Sequence, residues 1–284
     1  MKKRHFIGWF LTPAAMVAIG FAALMFAMLQ YGLRAHIPGS LDVGGFTFEN
    51  FTVIVKNSIY AKVFVDTVVI CFFTALFSLL LGYPLAYALV NVESKWIKSA
   101  ILIISITPLF LGEVVRTYSW ILVLGNSGFI NSVLMGLGII ERPFQLMFTT
   151  TGVTMALVHV TLPIVVIMLA VAIAHIDQDY KKAATSLGAG PVRVFMTVTL
   201  PLSIPGILAG TLTAFATTFS AFATPSVIGG GKINMVSNLV YQLGLASFNF
   251  PLAASLSISS LALILLIVGL VGRASKKVER YAEH

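Results

Sequence analysis

Six apolar stretches dominate this sequence, at about residues 7–31, 63–90, 99–124, 148–174, 206–225 and 250–272. Each lies near the roughly 20 residues that a helix needs to cross a hydrocarbon core. The runs are continuous rather than alternating, so they predict helices and not the strands of a membrane barrel. Composition makes lipid the solvent: 58% of residues are hydrophobic and only 10% charged, where an ordinary soluble domain carries about 25% charged residues. The expected fold is therefore all-α, a single polytopic domain over residues 1–284 with six transmembrane helices. The first run follows MKKRH and exceeds the roughly 7–15 apolar residues of a signal peptide, so it reads as an uncleaved first helix.

Basic residues set the orientation, because cytoplasmic segments carry the Lys/Arg excess. With the N-terminus inside, the inner segments hold Lys2, Lys3, Arg4, Lys95, Lys98, Lys181, Lys182, Arg193, Arg273, Lys276, Lys277 and Arg280. Of 18 basic residues this leaves Arg34, Lys56, Lys62, Arg116, Arg142 and Lys232 for outer loops and helix ends. Both termini are thus expected in the cytoplasm. A net charge of +8 is accounted for by topology and gives no ground for nucleic-acid binding. Cys71 is the only cysteine, which excludes an intramolecular disulfide, and it reads as a small core residue.

Three segments outside the membrane are long enough to have shape. The outer loop 32–62 reads as turn-rich with a short amphipathic portion. The outer segment 125–147 predicts a short helix along the surface. The inner segment around 177–205 is the most informative, DQDYKKAATSLGAGPVRVFMTVTLPLSIP. Asp177 suits an N-cap, and Asp179 adds a favourable charge in the first turn. Lys182, Ala183, Ala184 and Leu187 continue the helix to Gly188, a good left-handed terminator, followed by Ala189. Pro191 suits the first turn of a second helix over Val192 to Leu200, which Pro201 ends. Val194, Phe195 and Val198 are expected to anchor it. Ala183, Ala184 and Gly188 offer a small-residue surface that another protein can approach closely; a bland connecting hairpin is the alternative.

Ala183-Ala184, Thr185-Ser186-Leu187, Gly188-Ala189 and Leu200-Pro201 resemble the EAA signature of bacterial ATP-binding cassette importer permeases. The strings RTYSW, GNSGFINSVL, LPIVV, LPLSIPGILAG and FATPSVIGGG extend the likeness over roughly residues 60–275 and look most like the spermidine/putrescine permease branch. The resemblance implies the MetI-like fold of type I importer permeases, in the bacterial inner membrane. It implies two copies of a cytoplasmic ATPase that bind ATP and Mg, a second and preferably different permease, and an external solute-binding protein. The solute would be a small organic cation, a polyamine or a related amine such as an opine. The loop would be the coupling helix that enters a cleft of the ATPase. One departure stands out: Lys182 occupies the position of the family's Glu, so a salt bridge from that residue does not carry over.

A route for substrate is sought on two helices. Thr213, Thr217, Ser220 and Thr224 fall at i, i+4, i+7 and i+11, one narrow face opposite Phe215, Phe219 and Phe222. That hydroxyl face is expected to point inward, as a polar path or a helix contact. In the third span Glu113, Arg116 and Trp120 share one face near the outer end. Glu113 and Arg116 either pair with each other or form a gate, with Trp120 or Tyr118 offering a cation–π face and Asp66 adding negative charge. Pro84, between Tyr83 and Tyr87, suggests a bend, as do Pro108 and Pro163.

Other chemistry lacks support. Gly229-Gly230-Gly231-Lys232 fails as a phosphate loop, because Ile233 replaces the Ser/Thr and Ser226 the first Gly. His5, His36, His159, His175 and His284 lack ligand spacing, and His159 reads as a packed helix contact. No catalytic triad or metal ligand set emerges, so the chain is expected to be a transport subunit and not an enzyme. An ion-coupled transporter, with paired midplane charges and repeats, and a non-transporting scaffold are the rival readings.

Overall fold

A computed structural model describes residues 2–282, and the side chains of residues 11–273. Lys2, Lys3, Arg4, His5, Lys276, Lys277, Arg280 and His284, on which part of the orientation and ligand reading rests, lie outside the described side chains. The chain forms two compact units, one from residues 1–62 and 238–263 and the other from residues 63–237 and 264–284.

In the first unit, α1 (Lys2–Gly32) is a long apolar helix that leaves most of residues 11–31 exposed. A hairpin follows, β1 (Arg34–His36) antiparallel to β2 (Val43–Phe46). Every other described element is a helix, so the fold is all-α as expected, with this small hairpin added to the turn-rich loop. Three- and four-residue strands leave no mark in a reading of 20-residue apolar runs, but the turn between them is locally encoded, with the Asp42 amide donating to Ser40 Oγ at 3.0 Å. α2 (Glu49–Lys56) supplies the amphipathic portion expected in this loop, burying Asn50 and Ile54. Asn50 Nδ2 donates to the carbonyls of Gly32 and Arg34, both at 2.8 Å, and so fixes the exit of α1.

In the second unit the core is built around α7 (Thr150–Ala174), half of whose residues are buried. α3 (Ser58–Asn91) presents Thr67, Cys71, Thr74 and Ser78 to the interior at helical spacing. Cys71 is the core residue expected of it, and Ser78 Oγ hydrogen-bonds Thr161 Oγ1 of α7 at 2.7 Å. α11 (Ile204–Phe219) lies against α7 so closely that a Cβ on Gly206 would overlap Ala172 Cβ. Gly206 and Gly210 form a small-xxx-small pair, which lets two membrane helices gain dispersion contact where lipid removes any hydrophobic drive.

Four expected spans correspond to uninterrupted helices over most of their length: α1, α3, α7 and α14 (Phe250–Ala282). Pro84 and Pro163 sit inside α3 and α7 without interrupting them. The expected third span, 99–124, is instead broken into α4 (Lys95–Phe110) and α5 (Glu113–Leu124), with extended backbone at Leu111 and Gly112. Pro108 lacks an amide and the helix stops within one turn of it. The fifth span, 206–225, is also divided: α11 ends at Phe219 and α12 (Ala223–Gly229) follows. α6 (Phe129–Gly136) is a short helix within segment 125–147, where one is expected. Its buried Asn131 donates to the carbonyls of Gly125 and Phe144 and accepts from the Phe144 amide, all at 2.9–3.0 Å. α13 (Val236–Tyr241) precedes a π-turn at Gln242–Ala246. The glycine string ends α12: Gly230 has φ +53°, and the Phe148 ring lies against it.

Candidate functional site

The loop between α7 and α11 folds as the sequence predicts. α8 (Gln178–Ser186) opens on Asp177, whose carboxylate accepts the Asp179 amide at 2.9 Å. It closes on Gly188 at φ +83°, with Gly188 N donating to Thr185 O and Ala189 N to Ala184 O. Those two bonds satisfy carbonyls that the helix end leaves free, and the left-handed backbone at Gly188 is what permits them.

Pro191 begins α9 (Pro191–Val194), as expected. The second helix then departs from expectation. It widens into a π-turn at Phe195–Thr199 and runs past Pro201 through α10 (Leu200–Leu202) before breaking at Ser203. Pro201 has no amide to offer the carbonyl four residues back. The turn absorbs this by letting Leu200 N reach Phe195 O. The axis then bends by 62° into α11.

The loop leaves an apolar tip uncovered. Leu187 is 89% exposed, and Tyr180, Val192 and Met196 are exposed beside it in sequence. Ala183 and Gly188 are exposed and Ala184 and Ala189 are half-buried. Lys182 Nζ pairs with Asp179 Oδ1 at 2.9 Å, the only ion pair among the described residues. Both partners are more than 70% exposed, and a pair so hydrated contributes about 0–1 kcal/mol.

The other face of the loop is anchored. The Phe195 ring stands edge-on to Tyr83 and Tyr87 of α3, at centroid distances of 5.7 and 5.3 Å. Tyr83 Oη hydrogen-bonds Ser203 Oγ at 2.8 Å, and Lys181 Nζ donates to Asn91 Oδ1 at 3.2 Å. Val194 and Val198 are half-buried. The sequence singles out Phe195 but not its partners. Tyr83 and Tyr87 stand out in it only as neighbours of Pro84.

Glu113, Arg116 and Trp120 are not arranged as a paired set. Glu113 and Arg116 do not pair. The break at Leu111–Gly112 puts Glu113 in the exposed first turn of α5, and Arg116 Nη1 donates to the Pro108 carbonyl at 3.0 Å. That carbonyl would bond the Gly112 amide in a continuous helix, so the guanidinium replaces a bond lost at the break. Arg116 Nε is buried without a partner. Trp120 Nε1 donates to His159 Nδ1 at 3.3 Å, which makes His159 the helix contact expected of it and leaves the proton on Nε2. Tyr118 is exposed and Asp66 half-buried on α3. Trp120 and His159 lie at an open apolar groove of about 850 Å³ between α3 and α7, with Phe73 and Phe77.

The hydroxyl stripe is not one face. Thr224 sits on α12, buried, 3.2 Å from Thr117 Oγ1 of α5. On α11 the buried residues are Gly206, Gly210, Ala214, Phe215, Thr218 and Phe219. Thr213 and Thr217 are half-buried and Ser220 is exposed, so the expectation that this face turns inward fails within the chain. The phenylalanines bury more surface. The hydroxyls need no interior partner, because Thr213 and Thr217 each donate to the carbonyl four residues back at 2.8 Å. Among the described residues no three His, Cys, Asp or Glu gather as a metal site.

Comparison with known proteins places these features. The family described as binding-protein-dependent transport system inner membrane component matches residues 61–280. The spermidine/putrescine transport system permease protein PotB of Haemophilus influenzae is 29% identical over 273 residues, covering 94% of this chain and 95% of that protein. PotB of Escherichia coli is also 29% identical, over 84% of this chain and 86% of its own. A chain of the bacterial alginate ABC transporter, in complex with a pentasaccharide-bound periplasmic protein, has the same fold, with a TM-score of 0.82 at 18% identity over 98% of this chain and 96% of that one. A chain of the inward-facing MetNI methionine ABC transporter gives 0.61 at 15% identity, over 82% and 99%.

Proposed function

This chain belongs to the family of binding-protein-dependent transport system inner membrane components, and from that premise we propose that it forms half of the pathway by which an importer takes up a polyamine or related amine. It is the permease subunit of an ATP-binding cassette importer, a multi-pass inner-membrane protein that transports and does not catalyse. The polyamine reading is supported by the two PotB relatives, each alike over more than four fifths of this chain.

The observation that carries the mechanism is the loop from Asp177 to Leu202, folded by its own caps, with Leu187 standing 89% exposed at its tip. An isolated apolar tip beside Ala183 and Gly188 fits a cleft on a partner and serves no packing role in this chain. We assign that cleft to a cytoplasmic ATPase, present in two copies, which binds ATP and Mg. The termini then face the cytoplasm. A second, different permease supplies the other half of the pathway, and an external solute-binding protein delivers the substrate. Glu113, Tyr118, Thr213, Thr217 and Ser220 face that second permease on the sides this chain leaves uncovered, with Asp66 beside the route. Arg116 shapes it by holding the α4–α5 break, and Trp120 through His159.

Uptake of labelled spermidine and putrescine into vesicles holding the reconstituted components tests the proposal. Uptake that requires ATP, the ATPase and the binding protein together supports it. Flux without ATP would instead favour an ion-coupled carrier. Failure of the ATPase to co-purify with this chain would remove the docking assignment.

A further inference from the structure

We propose that Phe195 is a positioning residue that locks the cytoplasmic loop to α3, so that loop and helix move as one body when the ATPase moves the loop. This rests on the docking reading given above and adds where the motion goes.

Three attachments tie the loop to the same helix. Phe195 sits edge-on between Tyr83 and Tyr87, with interplanar angles of 87° and 89°. Ring quadrupoles favour that arrangement, edge hydrogens meeting the negative faces. Ser203, at the end of the loop, bonds the Tyr83 hydroxyl at 2.8 Å. Lys181, near its beginning, bonds Asn91 at 3.2 Å. From Tyr83 to Asn91 is about 12 Å of helix at 1.5 Å per residue. A body fixed at three points spread over that length, from α8, the π-turn and the break, resists rotation about any one of them.

Among the described residues, no side-chain hydrogen bond or ring contact joins the loop to the helix that follows it. The axis turns by 62° at Ser203 before α11 begins, and the π-turn immediately before it is the kind of wide, adjustable turn that recurs where helices flex. A push on the exposed tip is therefore delivered to the cytoplasmic third of α3. Beyond Tyr83, α3 continues into the core through Ser78, which is bonded to Thr161 of α7. Movement of the loop relative to α11 is taken up at the bend.

The test uses the complete reconstituted transporter. Phe195→Ala is expected to keep ATPase capture and ATP hydrolysis while lowering solute moved per ATP at least tenfold, and Phe195→Tyr to restore it. A merely structural role would lower both together. In a second variant, Lys181→Cys and Asn91→Cys are joined by a short bis-maleimide; native Cys71 is buried and does not compete. The joined protein is expected to transport within twofold of the unjoined one. Unchanged transport per ATP in Phe195→Ala, or arrest on joining, overturns the proposal while leaving docking intact. An unmodified chain that neither captures the ATPase nor shows ATP-dependent uptake overturns the docking reading, and this inference with it.

Discussion

The loop after α7 and the break between α4 and α5 solve one problem in opposite ways. At the loop between α7 and α11, helix ends are closed by their own neighbours in sequence: Asp177 caps one end of α8 and Gly188 turns the other. At the α4–α5 break, Pro108 and Gly112 interrupt a helix, and closure comes from Arg116 in the next helix, reaching back to the Pro108 carbonyl. The loop holds its shape without help and so is free to present apolar surface to a partner. The break instead draws on a cation from the next helix, which commits one Arg116 nitrogen to the Pro108 carbonyl rather than to Glu113.

This contrast predicts that changes in the loop disturb partners and changes at the break disturb the chain itself. Leu187→Asp should have the largest effect. The Leu187 side chain is 89% exposed in its own chain, so stability should be little changed. Burying a leucine contributes roughly 1.5–3 kcal/mol, so ATPase capture should weaken by about 10- to 100-fold. Capture within twofold of the native value would break the comparison. Gly188→Val comes next. A left-handed backbone costs a side chain about 1–2 kcal/mol, enough to reduce the folded loop and the uptake it supports by about tenfold; circular dichroism of the whole protein should not change.

Arg116→Leu should act in the opposite sense. The bond to Pro108 is only partly buried, so its loss should cost about 1–2 kcal/mol, seen as a lower thermal midpoint in detergent with ATPase capture intact. An unaltered midpoint would show that water closes the break equally well. Lys182→Ala should do least, within about 0.5 kcal/mol, because its partner Asp179 is equally hydrated. A large loss of uptake there would reveal a contact made by Lys182 outside this chain, at the position where the family carries Glu.

The same contrast explains what was legible in the sequence. Caps are local, so Asp177, Gly188 and Pro191 gave both helices of the loop their starts and the first its end. Apolar run length located the membrane helices, because lipid dictates it directly. The break between α4 and α5 was hidden: proline and glycine are tolerated inside membrane helices, and the deciding bond comes from a side chain eight residues on. The division of the hydroxyl stripe was hidden for a related reason, since a helical wheel assumes the helix continues and Phe219 ends it. The partners of Phe195 lie far away in sequence on α3, and spacing within the loop carries no trace of them. The hairpin at Arg34–Phe46 was too short to register against spans of membrane length.

One buried amide has a practical consequence. Asn131 ties Gly125 and Phe144 together through three hydrogen bonds, so the chain between α6 and Phe144 starts and finishes at fixed points. Glu141, Arg142 and Pro143, just before that closure, are exposed. New sequence spliced in there would enlarge a loop already closed by that amide, and loop closure grows only slowly more costly with length. The site is thus a natural place to insert a peptide tag in intact cells, where its accessibility to antibody would report which side of the membrane this end of the protein faces.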